Sequence, residues 1–502
     1  MSGSQPAAQP SAGAQPHGDL AHRPATELAQ AIRSGELGAL ELLEHLLARL
    51  EAHNPRINAV VTLAADAARA AARAADERQA RGEPLGALHG LPVTIKDALE
   101  TAGIRSTGGA KQLADYVPER DAPAVGALKA AGAVVFGKTN LPTWSGDGQT
   151  YNDLFGVTNN PWDLTRTPGG SSGGAAAAVA AGLTSFELGT DIGGSVRMPS
   201  HFCGVWGHKP SFGLVPGLGY LDHPLGGTME ADNNVLGPMG RSAEDLELLL
   251  GVLAGPTPDR AKAWRVELPA PRGEKTSDYR VAAWLDDPTC PIDAEMREIL
   301  ERACDAFAAA GAKVDRAARP EGVGFTDTTL AHMALISTAT TLSLSEARFA
   351  GMCEVADGRA PAEPEVVEAT ARQTQRHREW LLQHRRREAA RAAWEAFFRD
   401  YDVLLCPVTV GPAFPHTTDG GWLQRRLHVN GQERPYLDLI RWTCFIGGAY
   451  LPVTTPPLGR TKAGLPVSVQ VVAPYLEDRT AIDAARRLAD AAGTGFTPPP
   501  GF

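Results

Sequence analysis

The residues best suited to chemistry lie in the run Gly189-Thr190-Asp191-Ile192-Gly193-Gly194-Ser195-Val196-Arg197. A pair of glycines that leads directly into a serine places a hydroxyl nucleophile beside several backbone N–H groups in one turn. Such N–H groups stabilise the oxyanion that forms when a nucleophile attacks a carbonyl carbon. The run therefore predicts acyl-transfer chemistry, with Ser195 as the nucleophile. Its predicted oxyanion hole consists of the N–H groups of Ile192, Gly193, Gly194 and Ser195.

Two further features lie upstream of this run. Pro168-Gly169-Gly170-Ser171-Ser172-Gly173-Gly174 is a second run rich in glycine and serine, and Lys96 ends the strand-like segment Leu91-Pro92-Val93-Thr94-Ile95. An amide carbonyl is a poor electrophile and an amine is a poor leaving group. A hydrolase must therefore supply a nucleophile, stabilise the oxyanion and protonate the departing nitrogen. Two serines and a lysine meet these needs without a histidine, so we interpret Lys96, Ser171 and Ser195 as a catalytic set.

With these residues the chain resembles the amidase signature family of serine hydrolases. In that family a lysine, a serine in a cis peptide bond and a nucleophilic serine follow in this order. The likeness covers roughly residues 25 to 485. The other segments that carry it are Lys138-Thr139-Asn140, Cys203-Gly204-Val205-Trp206-Gly207-His208-Lys209-Pro210, Asp402 to Pro407, and Gly464-Leu465-Pro466-Val467 to Gln470. The resemblance implies an α/β fold, the amidase signature fold, with a central mixed β-sheet covered on both sides by many helices.

The resemblance also implies how the three residues share the work. Ser171, in a cis Gly170–Ser171 peptide, relays a proton between Ser195 and Lys96. Lys96 accepts that proton only when it is neutral, so burial among uncharged hydroxyl groups must lower its pKa from about 10.4. The supporting residues expected around this set are Gly170, Ser172, Asp191 and Arg197, the last two bracing the loop of the nucleophile.

Other interpretations of the same residues are open at this point. Gly169-Gly170-Ser171-Ser172-Gly173 matches G-x-S-x-G, the nucleophile elbow of α/β-hydrolases, which would make Ser171 the nucleophile. That elbow must follow a strand, whereas here it follows the loop-like run Asp163 to Pro168. A phosphate-binding loop is disfavoured because the chain has no G-x-x-x-x-G-K-[ST]. A non-enzymatic binding or scaffold role would require the Lys96, Ser171 and Ser195 set to be accidental.

Within the resemblance, the alternative function is the glutamine-hydrolysing amidotransferase subunit of a tRNA-charging complex. That subunit needs partner chains and a charged pocket for a free amino acid. Trp442 to Pro452 departs from the Asn-x-x-Gly-x-Pro pattern expected there, whereas Ile192 and Phe202-Cys203-Gly204 are similar to the fatty-acid-amide and xenobiotic amidases. We therefore expect a hydrolase that cleaves C–N bonds of small amides, anilides or carbamates (urethanes) through an acyl- or carbamoyl-enzyme on Ser195. Some relatives also hydrolyse esters.

The walls of the substrate pocket have weaker signals. Trp144, Tyr151 and Phe155 follow Asn140, where relatives contact substrate, and we predict that they bind substrate, although each also suits a core position. The less family-like stretch from Gly322 to Gly351, with His332, Met333 and Leu335, and the loop from Phe414 to Leu427 are further candidates for specificity.

Helices and strands must bring these residues together. Apolar residues at helical spacing predict helices from Glu27 to Gly35 with Thr26 as the cap, from Ala39 to His53, from Ala64 to Arg81 and from Asp293 to Ala310. The basic run from Arg376 to Arg387 is interpreted as a surface helix. Short apolar runs predict strands at Val93 to Ile95, Ala133 to Phe136, Ser185 to Leu188, Val281 to Leu285, Val403 to Leu405 and Val467 to Val472. Strands near both ends with the catalytic candidates between them indicate one interleaved α/β domain.

Composition limits the kind of partner. The 502 residues carry a net charge of −10, which disfavours nucleic acid or an anionic membrane, because both attract basic surfaces. We expect a small-molecule amide or carbamate as the partner, with no cofactor or metal, in a monomer or a homodimer. The six cysteines, which have no C-x-x-C spacing, are predicted to be reduced thiols of a cytoplasmic protein.

The N-terminus differs from the rest of the chain. Residues 1–20 are mostly Ser, Gly, Pro, Ala and Gln, and they contain too little apolar surface to offset the entropy of ordering. We predict a disordered tail over these residues and a single domain over residues 21–502. Neither a secretory signal nor an apolar run long enough to span a bilayer is recognisable, so a soluble protein is expected.

Overall fold

The computed structural model describes residues 20–224 and 226–502. Residues 1–19, which make up almost all of the predicted tail, lie outside the described residues. Leu20, the last residue assigned to that tail, instead begins a short 3₁₀ helix and is buried. The helices of the described residues are α1 (Ala25–Ser34), α2 (Ala39–Ile57), α3 (Ala65–Ala80), α4 (Pro123–Ala130), α5 (Gly173–Ala180), α6 (Arg197–Cys203), α7 (Ala243–Leu253), α8 (Ala294–Ala309), α9 (Phe325–Ala339), α10 (Glu346–Ala356), α11 (Pro364–Gln373), α12 (His377–Phe397), α13 (Arg441–Gly447) and α14 (Asp478–Ala492).

The strands are short and spread along the whole described chain. They are β1 (Val60–Leu63), β2 (Pro92–Lys96), β3 (Val134–Thr139), β4 (Tyr151–Asn152), β5 (Gly156–Val157), β6 (Glu187–Asp191), β7 (Trp206–Lys209), β8 (Val235–Gly240), β9 (Arg280–Ala283), β10 (Lys313–Asp315), β11 (Val403–Pro407), β12 (Arg426–Val429), β13 (Gln432–Pro435), β14 (Val453–Thr455), β15 (Pro457–Arg460) and β16 (Pro466–Val472). Each predicted strand corresponds to one of these, although several boundaries move.

The main sheet has nine strands and mixed pairing. Eight of them follow the order β10-β9-β11-β16-β14-β7-β8-β6, and β15 pairs with β16. The pairs β10–β9 and β9–β11 are parallel, while the pairs from β11 to β6 are antiparallel. A separate three-stranded sheet has the order β1-β3-β2. The predicted α/β class with a mixed sheet and many helices is confirmed.

Two predicted helix boundaries differ from the structure by more than one residue. Thr26 does not cap α1, because that helix begins at Ala25, and the Thr26 N–H and hydroxyl both donate to Asp245 on α7. The second helix continues past the predicted end at His53 to Ile57, with Pro55 inside it, and ends at Asn58 in a left-handed conformation. The start of α1 is therefore fixed by contacts with a distant helix. The end of α2 lies beyond its predicted position because the helix tolerates a proline in its last turn.

Apolar packing divides into two clusters. One contains the buried faces of α1 to α5 together with β2 and β3, and the other contains those of α8, α13 and α14 together with β9, β11 and β16. Phe496 near the C-terminus packs against both clusters. All six cysteines are free thiols, as predicted, and five of them are buried. Among the described residues no helix combines the length and apolar character needed to cross a membrane.

Candidate active site

The two sheets meet where Lys96 and Thr190 face each other. Lys96 is the last residue of β2 in the small sheet, and Thr190 lies near the end of β6, the edge strand of the large sheet. β2 packs alongside β6. The Lys96 Nζ donates to the Thr190 Oγ1 at 2.7 Å and to the Ser171 Oγ at 2.6 Å. A lysine is thus held by two hydroxyl groups at the junction of the sheets.

Burial sets the protonation behaviour of Lys96. Its side chain is fully buried, and this loss of hydration lowers its pKa to about 7, even though the Asp191 and Glu187 carboxylates act in the opposite direction. Burial disfavours the ammonium because an apolar interior solvates a charge poorly. A neutral amine is therefore well populated near neutral pH, which a general base requires.

Ser171 lies two residues before the first residue of α5. The peptide bond between Gly170 and Ser171 is cis, as the resemblance implies. Gly170 packs so tightly that a Cβ there would lie 2.5 Å from the Asp147 carbonyl oxygen. A side chain at this position would therefore push the two segments apart, and glycine keeps Ser171 in place.

Ser172 joins the two glycine-rich runs. Its N–H donates to the Ser195 carbonyl at 3.1 Å, and its hydroxyl donates to the Thr190 carbonyl at 3.2 Å. The Thr190 N–H in turn donates to the Ser172 hydroxyl at 3.2 Å. These contacts bring together the segments of Lys96, Ser171 and Ser195, which are far apart in the sequence.

The loop that carries Ser195 is organised by Asp191. The Asp191 carboxylate accepts the N–H groups of Gly194 at 2.9 Å and Val196 at 3.0 Å. One predicted oxyanion donor is therefore corrected, because the Gly194 N–H is already bound to this carboxylate. Ile192, Gly193 and Ser195 remain as candidate donors.

Asp191 and Arg197 form a buried ion pair beneath the loop. The Arg197 Nη2 donates to the Asp191 Oδ1 at 2.8 Å, and both side chains are fully buried. Burial alone would raise the pKa of the Asp191 carboxyl, but Arg197 outweighs it and holds that pKa at about 2. The Arg197 Nη1 also donates to the Thr443 carbonyl and the Gln470 Oε1, each at 2.8 Å. The pair thus braces the loop against α13 and β16.

Sequence reasoning missed three residues that contact this site. Thr190, the second partner of Lys96, lies inside the first run but has an ordinary strand position. The Asn233 amide donates to the Ile192 carbonyl at 3.1 Å, and the Thr443 hydroxyl donates to the Gly193 carbonyl at 2.6 Å. No local pattern marks Asn233 or Thr443, because their partners lie about 40 and 250 residues away.

The three aromatic residues predicted to bind substrate are all half-buried. The Tyr151 hydroxyl donates to the Asp147 Oδ2 at 2.9 Å, and the Phe155 ring lies 5.2 Å from the Arg105 guanidinium carbon. The Trp144 ring packs against Gly108. Their contact with substrate stays a prediction, since each has a partner within the protein.

Two arginines near the site are paired with carboxylates of the protein. Asp147, in the segment that packs on Gly170, accepts from Arg425 Nη1 at 3.1 Å and from the Tyr436 hydroxyl at 2.8 Å. Asp232, next to Asn233, pairs with Arg387 at 2.8 Å. These arginines present their charge to carboxylates of the protein itself.

The nucleophile-elbow interpretation loses its structural context. Residues 163–168, which precede the G-x-S-x-G match, contain none of the described strands. The strand that does precede a catalytic candidate is β6, which leads into the loop of Ser195.

Comparison with known proteins agrees with this architecture. The family model described as Amidase matches residues 41–482. This chain belongs to the amidase family. It is accordingly a hydrolase of C–N bonds.

Individual members of the amidase family differ in what they act on. The chain is 34% identical over 486 residues to an indoleacetamide hydrolase of Bradyrhizobium diazoefficiens, covering 95% of this chain and 88% of that protein. It is 32% identical over 495 residues to a glutamyl-tRNA(Gln) amidotransferase subunit of a Synechococcus strain, covering 92% and 95%. A bacterial aryl acylamidase structure superposes with a TM-score of 0.79 at 26% identity, covering 94% of this chain and 96% of that chain. The family therefore fixes the bond class and leaves the substrate open.

Proposed function

We propose that this amidase-family protein hydrolyses small, uncharged amides, anilides or carbamates through an acyl- or carbamoyl-enzyme on Ser195. The observation that carries the proposal is the environment of Lys96, whose amine is buried and hydrogen-bonded to the Ser171 and Thr190 hydroxyls. Neither partner is a carboxylate that would keep the amine permanently protonated. A lysine with a pKa of about 7 is suited to take and return a proton near neutral pH.

In the acylation step, the Ser195 Oγ forms a bond to the carbonyl carbon of the substrate. Its proton passes to Ser171, whose own proton passes to Lys96. The N–H groups of Ile192, Gly193 and Ser195 stabilise the negative oxygen of the tetrahedral intermediate. Lys96 then returns the proton through Ser171 to the substrate nitrogen, the C–N bond breaks, and the amine leaves.

In the deacylation step, water attacks the ester of Ser195 and gives its proton to the same relay. The carboxylic acid is released and the Ser195 hydroxyl is restored. A carbamate instead loses its alcohol first and leaves a carbamoyl group on Ser195. Hydrolysis then gives a carbamic acid, which releases CO₂ and the amine.

The preference for uncharged substrates is supported by the paired charges around the site. Recognition of free glutamine would need groups for its ammonium and its carboxylate. Arg425 and Arg387 already pair with Asp147 and Asp232, and separating a buried pair leaves an uncompensated charge. The pairing of both arginines favours amide hydrolysis over the amidotransferase alternative.

The test is product release from one aryl group carried as an anilide, an aryl carbamate, an ester and a primary amide, with glutamine as a fifth substrate. We expect the wild type to cleave the amide or carbamate members and Ser195→Ala to cleave none. Ser34→Ala is the matched control, because that hydroxyl lies on α1 and donates to the Ala31 carbonyl of its own helix. It should retain wild-type turnover.

A serine-directed aryl phosphonate gives an independent measurement of the nucleophile. Labelling of the wild type and of Ser34→Ala, but not of Ser195→Ala, supports the assignment. Turnover that survives in Ser195→Ala would refute it. Ammonia release from glutamine without cleavage of the aryl substrates would support the amidotransferase alternative instead.

A further inference from the structure

The carbonyl groups of the nucleophile loop are all anchored. Each of the four carbonyl oxygens in Ile192–Ser195 accepts a hydrogen bond, three of them from distant segments and that of Gly194 from the first turn of α6. The donors, for the carbonyls in chain order, are the Asn233 amide at 3.1 Å, the Thr443 hydroxyl at 2.6 Å, the Met198 N–H at 2.7 Å and the Ser172 N–H at 3.1 Å. Three of the four peptide planes are thus held by segments outside the loop.

Anchoring a carbonyl also aims the N–H of the same peptide. In a planar trans peptide the C=O and the N–H point in opposite directions. The Gly193 carbonyl, held by Thr443, belongs to the peptide whose N–H, that of Gly194, reaches Asp191. The Ile192 carbonyl, held by Asn233, belongs to the peptide of the Gly193 N–H. Asn233 therefore controls the direction of a candidate oxyanion donor.

We propose that Asn233 is a positioning residue for the oxyanion hole, which it serves by turning the Gly193 N–H toward the reacting carbonyl. This inference rests on the proposed function of Ser195. Only the NH₂ end of the Asn233 amide can bond to a carbonyl oxygen, so the amide orientation follows from its partner. Asn233 is buried and has a φ of +68°, a left-handed conformation that asparagine tolerates better than most residues. The residue type thus suits both the backbone and the contact.

The neighbouring Asp232 fixes the segment of Asn233. Its carboxylate pairs with Arg387 of α12 at 2.8 Å and accepts the Tyr450 hydroxyl. The Arg387 guanidinium carbon lies 4.5 Å from the centre of the Tyr450 ring. We call Asp232, Arg387 and Tyr450 the clamp. It connects the Asn233 segment to α12 and to the loop after α13.

The clamp depends on a departure noted in the sequence. If Pro452 is the proline of the Asn-x-x-Gly-x-Pro pattern, Tyr450 occupies the position of the glycine. It keeps a left-handed backbone, with a φ of +69°, and its ring stacks on Phe212 at 4.3 Å between centroids. A glycine there would supply neither the hydroxyl for Asp232 nor the ring for Arg387. This chain therefore holds its oxyanion loop with contacts that the pattern itself does not contain.

The test compares Asn233→Gly with Asn430→Gly. Both asparagines have a positive φ and donate their amide to a backbone carbonyl, that of Ile292 at 2.9 Å for Asn430. Glycine keeps the backbone conformation and removes the amide in each case. Losing one oxyanion donor typically costs about 10²–10³ in rate, so we expect kcat of Asn233→Gly to fall about 100-fold with KM within twofold. Asn430→Gly should keep the wild-type kcat.

A tetrahedral inhibitor separates positioning from simple folding damage. We expect the inhibition constant of an aryl trifluoromethyl ketone, which forms an oxyanion adduct with serine, to rise by the same factor as kcat falls. Inhibition by the product carboxylate should be unchanged. Tyr450→Phe, which keeps the ring but removes the hydroxyl that donates to Asp232, should show a smaller fall in kcat, again with KM nearly unchanged.

The outcomes distinguish this inference from the proposed function. A wild type that neither turns over the aryl substrates nor reacts with the phosphonate would overturn both. An active wild type whose Asn233→Gly variant keeps kcat within twofold, or binds the ketone and the product equally weakly, would overturn the role of Asn233 alone.

Discussion

At the scale of single residues, the site depends on which charged groups have a partner of opposite charge. Among the described residues, Lys96 meets two hydroxyls and no carboxylate within hydrogen-bond distance, and burial lowers its pKa to about 7. Asp191 meets Arg197 directly, and its pKa is about 2. The two groups therefore differ in protonation near neutral pH. Asp191 stays ionised and braces the loop, while Lys96 titrates.

The first prediction concerns the pH dependence of Lys96. Because the base is the neutral amine, kcat/KM should rise as the pH increases through about 7 and level off above it. Lys96→Met, which keeps most of the length without the amine, should lose activity by at least about 100-fold and lose this limb of the profile. Initial rates from pH 5 to 9 on the anilide measure both effects. An active variant with an unchanged profile would remove Lys96 from the mechanism.

At the scale of elements, the decisive unit is the turn from β6 into α6. β6 supplies Thr190 and Asp191, and α6 begins with Arg197, so the loop of Ser195 is closed at its base by an ion pair. Gly194 within it has a φ of +121°, and a Cβ there would lie 2.6 Å from the Thr443 hydroxyl. A glycine is required at that position by both its backbone and its neighbour.

The second prediction concerns the stability of this turn. Asp191→Asn leaves the buried Arg197 without its countercharge, so the free energy of unfolding should fall by about 3–5 kcal/mol. The pKa of Asp191 is lower in the folded chain than in the unfolded one, so its stabilisation is present above about pH 4 and is lost as the pH falls toward 2. The difference in the free energy of unfolding between the wild type and Asp191→Asn should therefore become smaller as the pH falls from about 4 toward 2. Urea unfolding at pH 7 and pH 3 measures it.

An exposed carboxylate provides the comparison. Asp66→Asn removes the fully exposed partner of Arg69 on α3 and should leave the urea midpoint unchanged. Equal midpoints for Asp191→Asn and Asp66→Asn at pH 7 would show that the buried pair does not stabilise the loop.

At the scale of the whole molecule, the site is held by packing between distant segments. α13 carries Thr443, which holds the Gly193 carbonyl, and also Phe445 at the centre of an aromatic cluster. The Phe445 ring lies 5.1 Å from Trp284 and 5.7 Å from Trp394, between centroids. The aromatic cluster therefore connects the nucleophile loop to α12 and to Trp284, the residue that follows β9.

The third prediction tests this connection. Phe445→Ala should lower the free energy of unfolding by about 3–5 kcal/mol, because Phe445 is fully buried and its removal leaves a cavity. It should also lower kcat, since α13 can then shift Thr443. Phe445→Leu, which keeps more of the volume, should cost less than about 1.5 kcal/mol and retain most of the activity. Denaturation and kinetics on both variants check the prediction, and a stable Phe445→Ala with wild-type kcat would contradict it.

Much of the architecture was predictable because its signals are local. Apolar periodicity located the helix now bounded by Ala294–Ala309 to within one residue at each end, and short apolar runs located β2, β11 and β16. The predicted position of strand β6 is too close to the N-terminus, because Thr190 and Asp191 are polar and the apolar run ends before them. Burial of those polar side chains depends on partners in other segments, which periodicity does not register.

The sequence by itself determined the residue types that this chemistry needs, namely Lys96 at a strand end and two glycine-flanked serines. Backbone preference and side-chain chemistry depend on a residue and its neighbours in the sequence, so they can be recognised from the sequence alone. Tertiary structure alone decided that Asn233 and Thr443 anchor the oxyanion loop. Those contacts join residues brought together only by folding, and hydrogen bonds between such residues depend on atomic positions that no local pattern encodes.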